Sequence, residues 1–235
     1  MSEIDTAKMS TTGSTINLVR SSHPWTKADS AAGVVLRYLM PMRRLLTDMT
    51  GSNELADKSL KVLISHLAAS GFGEHKKGRL RDFLLRGLRS ACKMAIAELD
   101  DKDKVEPNLD LATLDSKAWL VYWRDGLLER AWRSLERYQH SNSHEPVHTL
   151  LQLTASEELI DWDLIAAKMN GGVSDTDGEP WLASKLPPIN DLARQLFAQF
   201  VADEVSETLQ DPNAVDVKRE IQFLGLNKAF TGMTI

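Results

Sequence analysis

A single cysteine, Cys92, stands in this chain of 235 residues, so neither an internal disulfide framework nor a cysteine-rich zinc site can be built from it. That usage suits a reducing compartment. Long apolar runs are also missing. None approaches the roughly 20 residues that span a bilayer, and the leader Met1 to Lys27 is polar, without the apolar block of a secretory signal. A cytoplasmic protein with no membrane partner is expected. Glycine never gathers into a phosphate-cradling loop, G-x-S-x-G does not occur, and Cys92 has no plausible partner for nucleophilic chemistry. No enzyme, cofactor or metal is expected. Strand signals are scarce too, and the fold should be all α.

What the chain does contain is ordinary globular material, 43% hydrophobic and 26% charged, with a formal charge of −5. Residues 1 to 14 are rich in Ser and Thr and read as a disordered leader. Asp29 or Ser30 can cap a helix through Val34, Val35 and Leu39; Pro41 interrupts or kinks it, and Met42, Leu45, Leu46 and Met49 resume the apolar face until Gly51. Ser52 and Asn53 can cap the next helix, and a further one from about Gly78 carries Leu80, Leu84, Leu88 and Ala91 along one face. The acidic, Pro-containing stretch 99 to 116 reads as a linker. Beyond it, Trp119, Trp123, Leu127, Ala131 and Leu135 recur at helical spacing, and aromatics so spaced are read as a core face. Two helical units, 15–98 and 117–226, are therefore expected, followed by a tail 227–235.

His144, Glu145, Pro146, Val147 and His148 spell the zincin signature H-E-x-x-H, which requires both imidazoles on one face of a regular helix. Pro146 breaks that requirement. It lacks an N–H and drives Glu145 towards extended geometry, so a new helix is expected to open at Pro146 with His144 outside it. An interhelical turn is the reading, not a metal site.

The informative stretch is 76 to 93. Lys76, Lys77, Arg79, Arg81, Arg86, Arg89 and Lys93 face one acid, Asp82, which gives a local charge of +6 in a chain of net −5. With the leucines packed inward, such a helix would offer cations to phosphates and Phe83 to an unpaired base. The bland alternative is a solvated basic face, or one paired with acidic helices elsewhere.

Several segments, in order, resemble bacterial extracytoplasmic-function RNA polymerase sigma factors. K-G-R-L-R-D-F-L-L-R-G-L-R at 77 to 89 is similar to the family's G-R-F-R-x-F-L stretch. T-I-N-L-V at 15 to 19, Y-L-M-P-M-R-R-L-L at 38 to 46 and N-E-L-A-D at 53 to 57 accompany it. W-R-D-G-L-L-E-R-A-W at 123 to 132, P-V-H-T-L-L-Q-L at 146 to 153 and R-Q-L-F-A-Q-F-V-A-D-E-V at 194 to 205 follow, so the resemblance covers roughly residues 15 to 226.

The resemblance implies a region-two-like domain, which grips the clamp helices of the largest subunit of core RNA polymerase and opens promoter DNA. It also implies a region-four-like helix-turn-helix domain. The polymerase-binding residues it implies are Arg43, Arg44, Asn53, Glu54, Asp57, Lys58 and Lys61. The DNA-binding residues are Lys76, Lys77, Arg79, Arg81, Phe83, Arg86, Arg89 and Lys93. Promoter DNA and core polymerase are the implied partners, an anti-sigma factor a further one, and no bond chemistry is involved.

Two features depart from the family pattern. A recognition helix should begin near Trp181, where Pro187 and Pro188 are expected to break it. From Thr154 to Asp191 eight acids face two lysines, a local charge of −6 that repels duplex phosphate. Sequence-specific reading by the second unit is therefore expected to be lost or weakened. The competing expectation is a degenerate relative that serves as a protein-binding regulator or structural module.

Overall fold

In a computed structural model, the described residues are 14–20, 23–73, 78–157, 159–172 and 180–235. Among them the secondary structure is helical, with no strand beyond two isolated bridges. Among the described residues nine α-helices follow in order: α1 Ala31–Leu36, α2 Leu39–Thr50, α3 Asn53–Ser70, α4 Leu80–Ala97, α5 Lys117–Ser141, α6 Val147–Thr154, α7 Trp162–Gly172, α8 Leu186–Glu207 and α9 Ala214–Phe223. The all-α expectation holds.

Local chemistry explains where these helices begin. Ser30 Oγ accepts the Gly33 N–H at 3.0 Å, Ser52 Oγ that of Leu55 at 3.2 Å and Asn213 Oδ1 that of Asp216 at 3.0 Å, each answering a first-turn donor that the helix itself leaves unpaired. Pro41 falls in the first turn of α2, after a break at Arg37 and Tyr38, where its missing N–H costs no helical bond. Pro187 and Pro188 likewise occupy the first turn of α8. Instead of breaking a recognition helix, they start a different one.

Packing ties the two halves of the sequence together. α3 lies along α4, α2 packs on both α3 and α5, and α8 sits against α5, α6 and α9. One apolar cluster takes Leu45, Leu63, Leu84 and Leu88 from α2–α4, Trp119, Trp123 and Leu127 from α5, Val201 and Val205 from α8, and Val217 and Ile221 from α9. Each such side chain contributes roughly 1.5–3 kcal/mol on burial, so the stretches expected to form two units share a common core. Tyr38 stacks on Trp123 with ring centroids 4.7 Å apart. A smaller cluster joins α6 and α7 to the start of α8 through Leu150, Ile165, Met169 and Leu186.

The stretch expected as a linker is bonded to the helices at residues 108–112. Asn108 N–H donates to Met49 O at 2.8 Å, and the Arg89 guanidinium donates to Leu109 O and Ala112 O at 3.0 and 2.8 Å. Ala112 is buried. The expected tail also belongs to the fold: Phe230 is buried, and Thr234 pairs with residues 14–16. Of the expected leader, residues 1–13 lie outside the described residues.

Candidate functional site

The basic helix was the sequence's strongest functional signal, and α4 carries it from Leu80 to Ala97. Of the two arginines at its N-terminal end, Arg81 points into the protein and Arg79 lies partly exposed beside it. Arg81 is 1% exposed, with its Nε donating to Glu220 Oε1 at 2.7 Å and its Nη1 to Asp82 Oδ1 at 3.0 Å. Arg79 reaches the other carboxylate oxygen of Glu220 at 3.2 Å. The ring of Phe223 lies under both guanidiniums, 4.9 Å from Arg81 and 5.8 Å from Arg79. A buried guanidinium needs such partners, because an uncompensated charge in an apolar interior costs several kcal/mol. These arginines bolt α4 to α9.

The rest of the basic set divides by position. Arg89 is spent on the carbonyls of the 99–116 stretch. Phe83 is half-buried in an aromatic group, its ring centroid 5.3 Å from Trp25 and 5.5 Å from Phe72. It packs against these rings, where the sequence reading offered it to an unpaired base. Arg86 and Lys93 are exposed on the outer side of α4. Lys76 and Lys77 lie outside the described residues. Of the five described cations of this set, two, Arg86 and Lys93, thus remain free of internal partners among the described residues.

The implied polymerase-facing residues form a more open surface on α2 and α3. Arg44, Asn53, Glu54, Asp57 and Lys61 are exposed. Arg43 grips Asp57 with two hydrogen bonds of 2.6 and 3.0 Å, and the guanidinium holds the Asp57 carboxyl below the usual carboxylate range. Lys58 pairs with Glu98 at 3.2 Å, and Asn53 accepts from the Thr47 hydroxyl. Together these residues make a mixed-charge patch held by side-chain pairs, suited to a charged protein surface.

At the expected recognition element, Trp181 is half-buried against the α6–α7 cluster and a short 3-10 turn spans Ala183–Lys185. Asn190, one of two side chains that could address a base edge, is 4% exposed, and its Oδ1 accepts the Thr154 hydroxyl at 2.9 Å. Lys185 alone of the two remains exposed. Of the eight acids counted there, Glu158, Asp175, Asp177 and Glu179 lie outside the described residues.

Around H-E-P-V-H, the turn forms as the proline dictates: Pro146 precedes α6, His144 is exposed before it, and His148 sits within it against the Trp132 ring at 4.8 Å. Glu145 accepts the Tyr138 hydroxyl at 2.8 Å. Among the described residues no group of three or more His, Cys, Asp and Glu could hold a metal ion. Nor is any helix among them long and apolar enough to cross a membrane.

Sequence reasoning missed the buried polar pairs. Arg130 binds Glu204 through two hydrogen bonds of 2.6 and 3.1 Å beneath Tyr38, whose ring lies 5.3 Å from the guanidinium. Burial pushes the Glu204 carboxyl up while Arg130 opposes it, and burial also raises the Tyr38 phenol. Glu220 was missed as well. Charged residues on apolar helix faces are the signal that could have found both.

No protein-family model, curated protein or solved structure matches this chain.

Proposed function

We propose that this chain is a sigma-like regulator of transcription that docks on core RNA polymerase through the α2–α3 surface and does not read promoter duplex. One contrast carries the reading: Arg81 and Asn190 turn inward, while Arg44, Asn53, Glu54, Asp57 and Lys61 face outward. The sequence resemblance supplies the partner, the clamp helices of the largest subunit. On this reading, 15–98 and 117–226 correspond to region-two-like and region-four-like units joined through the acidic 99–116 stretch. The protein then acts in the cytoplasm, where an anti-sigma factor is a further partner. It catalyses nothing itself.

The alternative of a working sigma factor is favoured by the exposure of Arg86 and Lys93 on α4. Pull-down of core polymerase by the full chain, together with mobility-shift and run-off transcription assays on genomic fragments at about 0.15 M salt, separates the readings. Core retention that is lost in an Arg44→Glu/Glu54→Lys variant, without sequence-selective duplex binding, is the expected result. Failure to retain core removes polymerase as the partner. Selective duplex binding with transcription from a defined start overturns the claim that promoter reading is absent.

A further inference from the structure

Between α3 and α4 runs an open groove of about 850 Å³ that no element described above fills. Its apolar lining includes Val62, Leu67, Phe72, Phe83, Ala91 and Met94, and Met94 is 54% exposed. Gly87 sets the floor: a Cβ there would come within 2.9 Å of Leu63 Cδ1, so glycine lets the two helices approach closely beneath the groove. The polar groups of the lining are His66, Ser70, Arg86 and Ser90, with no carboxylate among them. Arg86 stands at the rim, and Lys93, seven residues on, shares its side of α4. Both are exposed, and no carboxylate among the described residues pairs with either.

We propose that this groove docks an acidic amphipathic helix of a partner protein. Its apolar face would lie on the floor, and its carboxylates would meet Arg86 and Lys93. Two arguments fix the occupant. From Phe83 to Met94 the groove spans about 16 Å, close to three helical turns. A helix satisfies its own backbone groups, whereas an extended segment would bring unpaired N–H and C=O groups onto apolar side chains. Charge then selects among helices, since a site whose described lining holds no carboxylate, beside two cations unpaired among the described residues, attracts acids and repels bases, in a chain whose net charge has the opposite sign. The inference does not depend on the polymerase reading, which uses Arg44, Glu54 and their neighbours.

Fluorescence anisotropy with the full chain tests it. The probes are a fluorescein-labelled amphipathic peptide of about 15 residues with Leu on one face and Glu on the other, the same peptide with Lys for Glu, and a labelled single-stranded oligonucleotide. The acidic peptide should bind saturably. Arg86→Glu and, separately, the groove-filling Ser90→Trp should each weaken it by about tenfold or more. Both variants should keep the wild-type circular dichroism, and Arg44→Glu/Glu54→Lys should bind the peptide as the wild type does. Absence of saturable binding, equal binding of the Lys peptide, or indifference to Ser90→Trp overturns the proposal. Oligonucleotide binding that displaces the acidic peptide assigns the groove to nucleic acid instead. Self-association abolished by Ser90→Trp assigns it to a second copy.

Discussion

Glu220 stands 139 residues beyond Arg81 in the chain and 2.7 Å from it in space. Both side chains are almost fully buried, and removing Glu220 leaves the Arg81 guanidinium with Asp82 as its one remaining carboxylate partner and no solvent to replace the other. Glu220→Ala should therefore cost about 3–5 kcal/mol in urea denaturation, while Arg81→Met with Glu220→Leu should recover most of that loss. A double variant no more stable than Glu220→Ala would show that the pair does more than neutralise charge. This is also where the sequence was least legible. Seven cations in one short stretch announced a charged helix, and Glu220 shares a face of α9 with Val217 and Ile221, but local spacing does not tell which cations a buried acid will take. Asn190 was ambiguous for the same reason, since a polar residue near a helix start can address solvent, a ligand or, as here, a buried hydroxyl.

Helices were far easier to read than their neighbours. Apolar spacing and the serine cap at Ser52 give α3 almost to the residue, and the tryptophan face of α5 is buried as its period requires. Local signals carry no information about which helix lies on which. Gly126 illustrates the point: within α5 it costs helix propensity, yet a Cβ there would fall 2.7 Å from the Pro41 ring of α2. The glycine is there for the crossing. Gly126→Ala should destabilise by about 1–3 kcal/mol despite its better propensity, because a proline ring has little freedom to yield. Adding Pro41→Ala should return part of the loss. Chemical denaturation of the two variants checks this, and additive losses would show that the contact is not the cause. Pro187 and Pro188 teach a related lesson: a proline pair is a stop signal only when the helix is known to begin before it, and α8 begins with them.

At the scale of the molecule, the main apolar cluster draws on helices from both halves and ties their stability together. Alkaline titration reads this out. All three tyrosines are held in the phenol form: Tyr38 by burial, Tyr122 by its hydrogen bond to Asp48 and Tyr138 by its bond to Glu145. Each native pKa is raised above the free value of about 10. Their contribution to stability is thus complete below that pH and is lost as pH rises through the native values. Phenolate absorbance should lag behind that of free tyrosine, and the share of the buried Tyr38 should appear only as helical circular dichroism disappears. Ionisation of all three residues near pH 10 in a still-helical protein would contradict it.

The bridge between residues 14–16 and Thr234 has a topological consequence. Ile16 N–H donates to Thr234 O at 3.0 Å, and Thr234 N–H donates to Ser14 O at 3.1 Å. A few added residues would suffice to join Ser14 to Ile235, and the ring so made can be reopened at the exposed turn around Ser143 with the buried contacts intact. The helices would then be strung in a new order, α6 first and α5 last, on an unchanged arrangement in space. What is essential to this architecture is which helices touch, not the sequence in which the chain visits them.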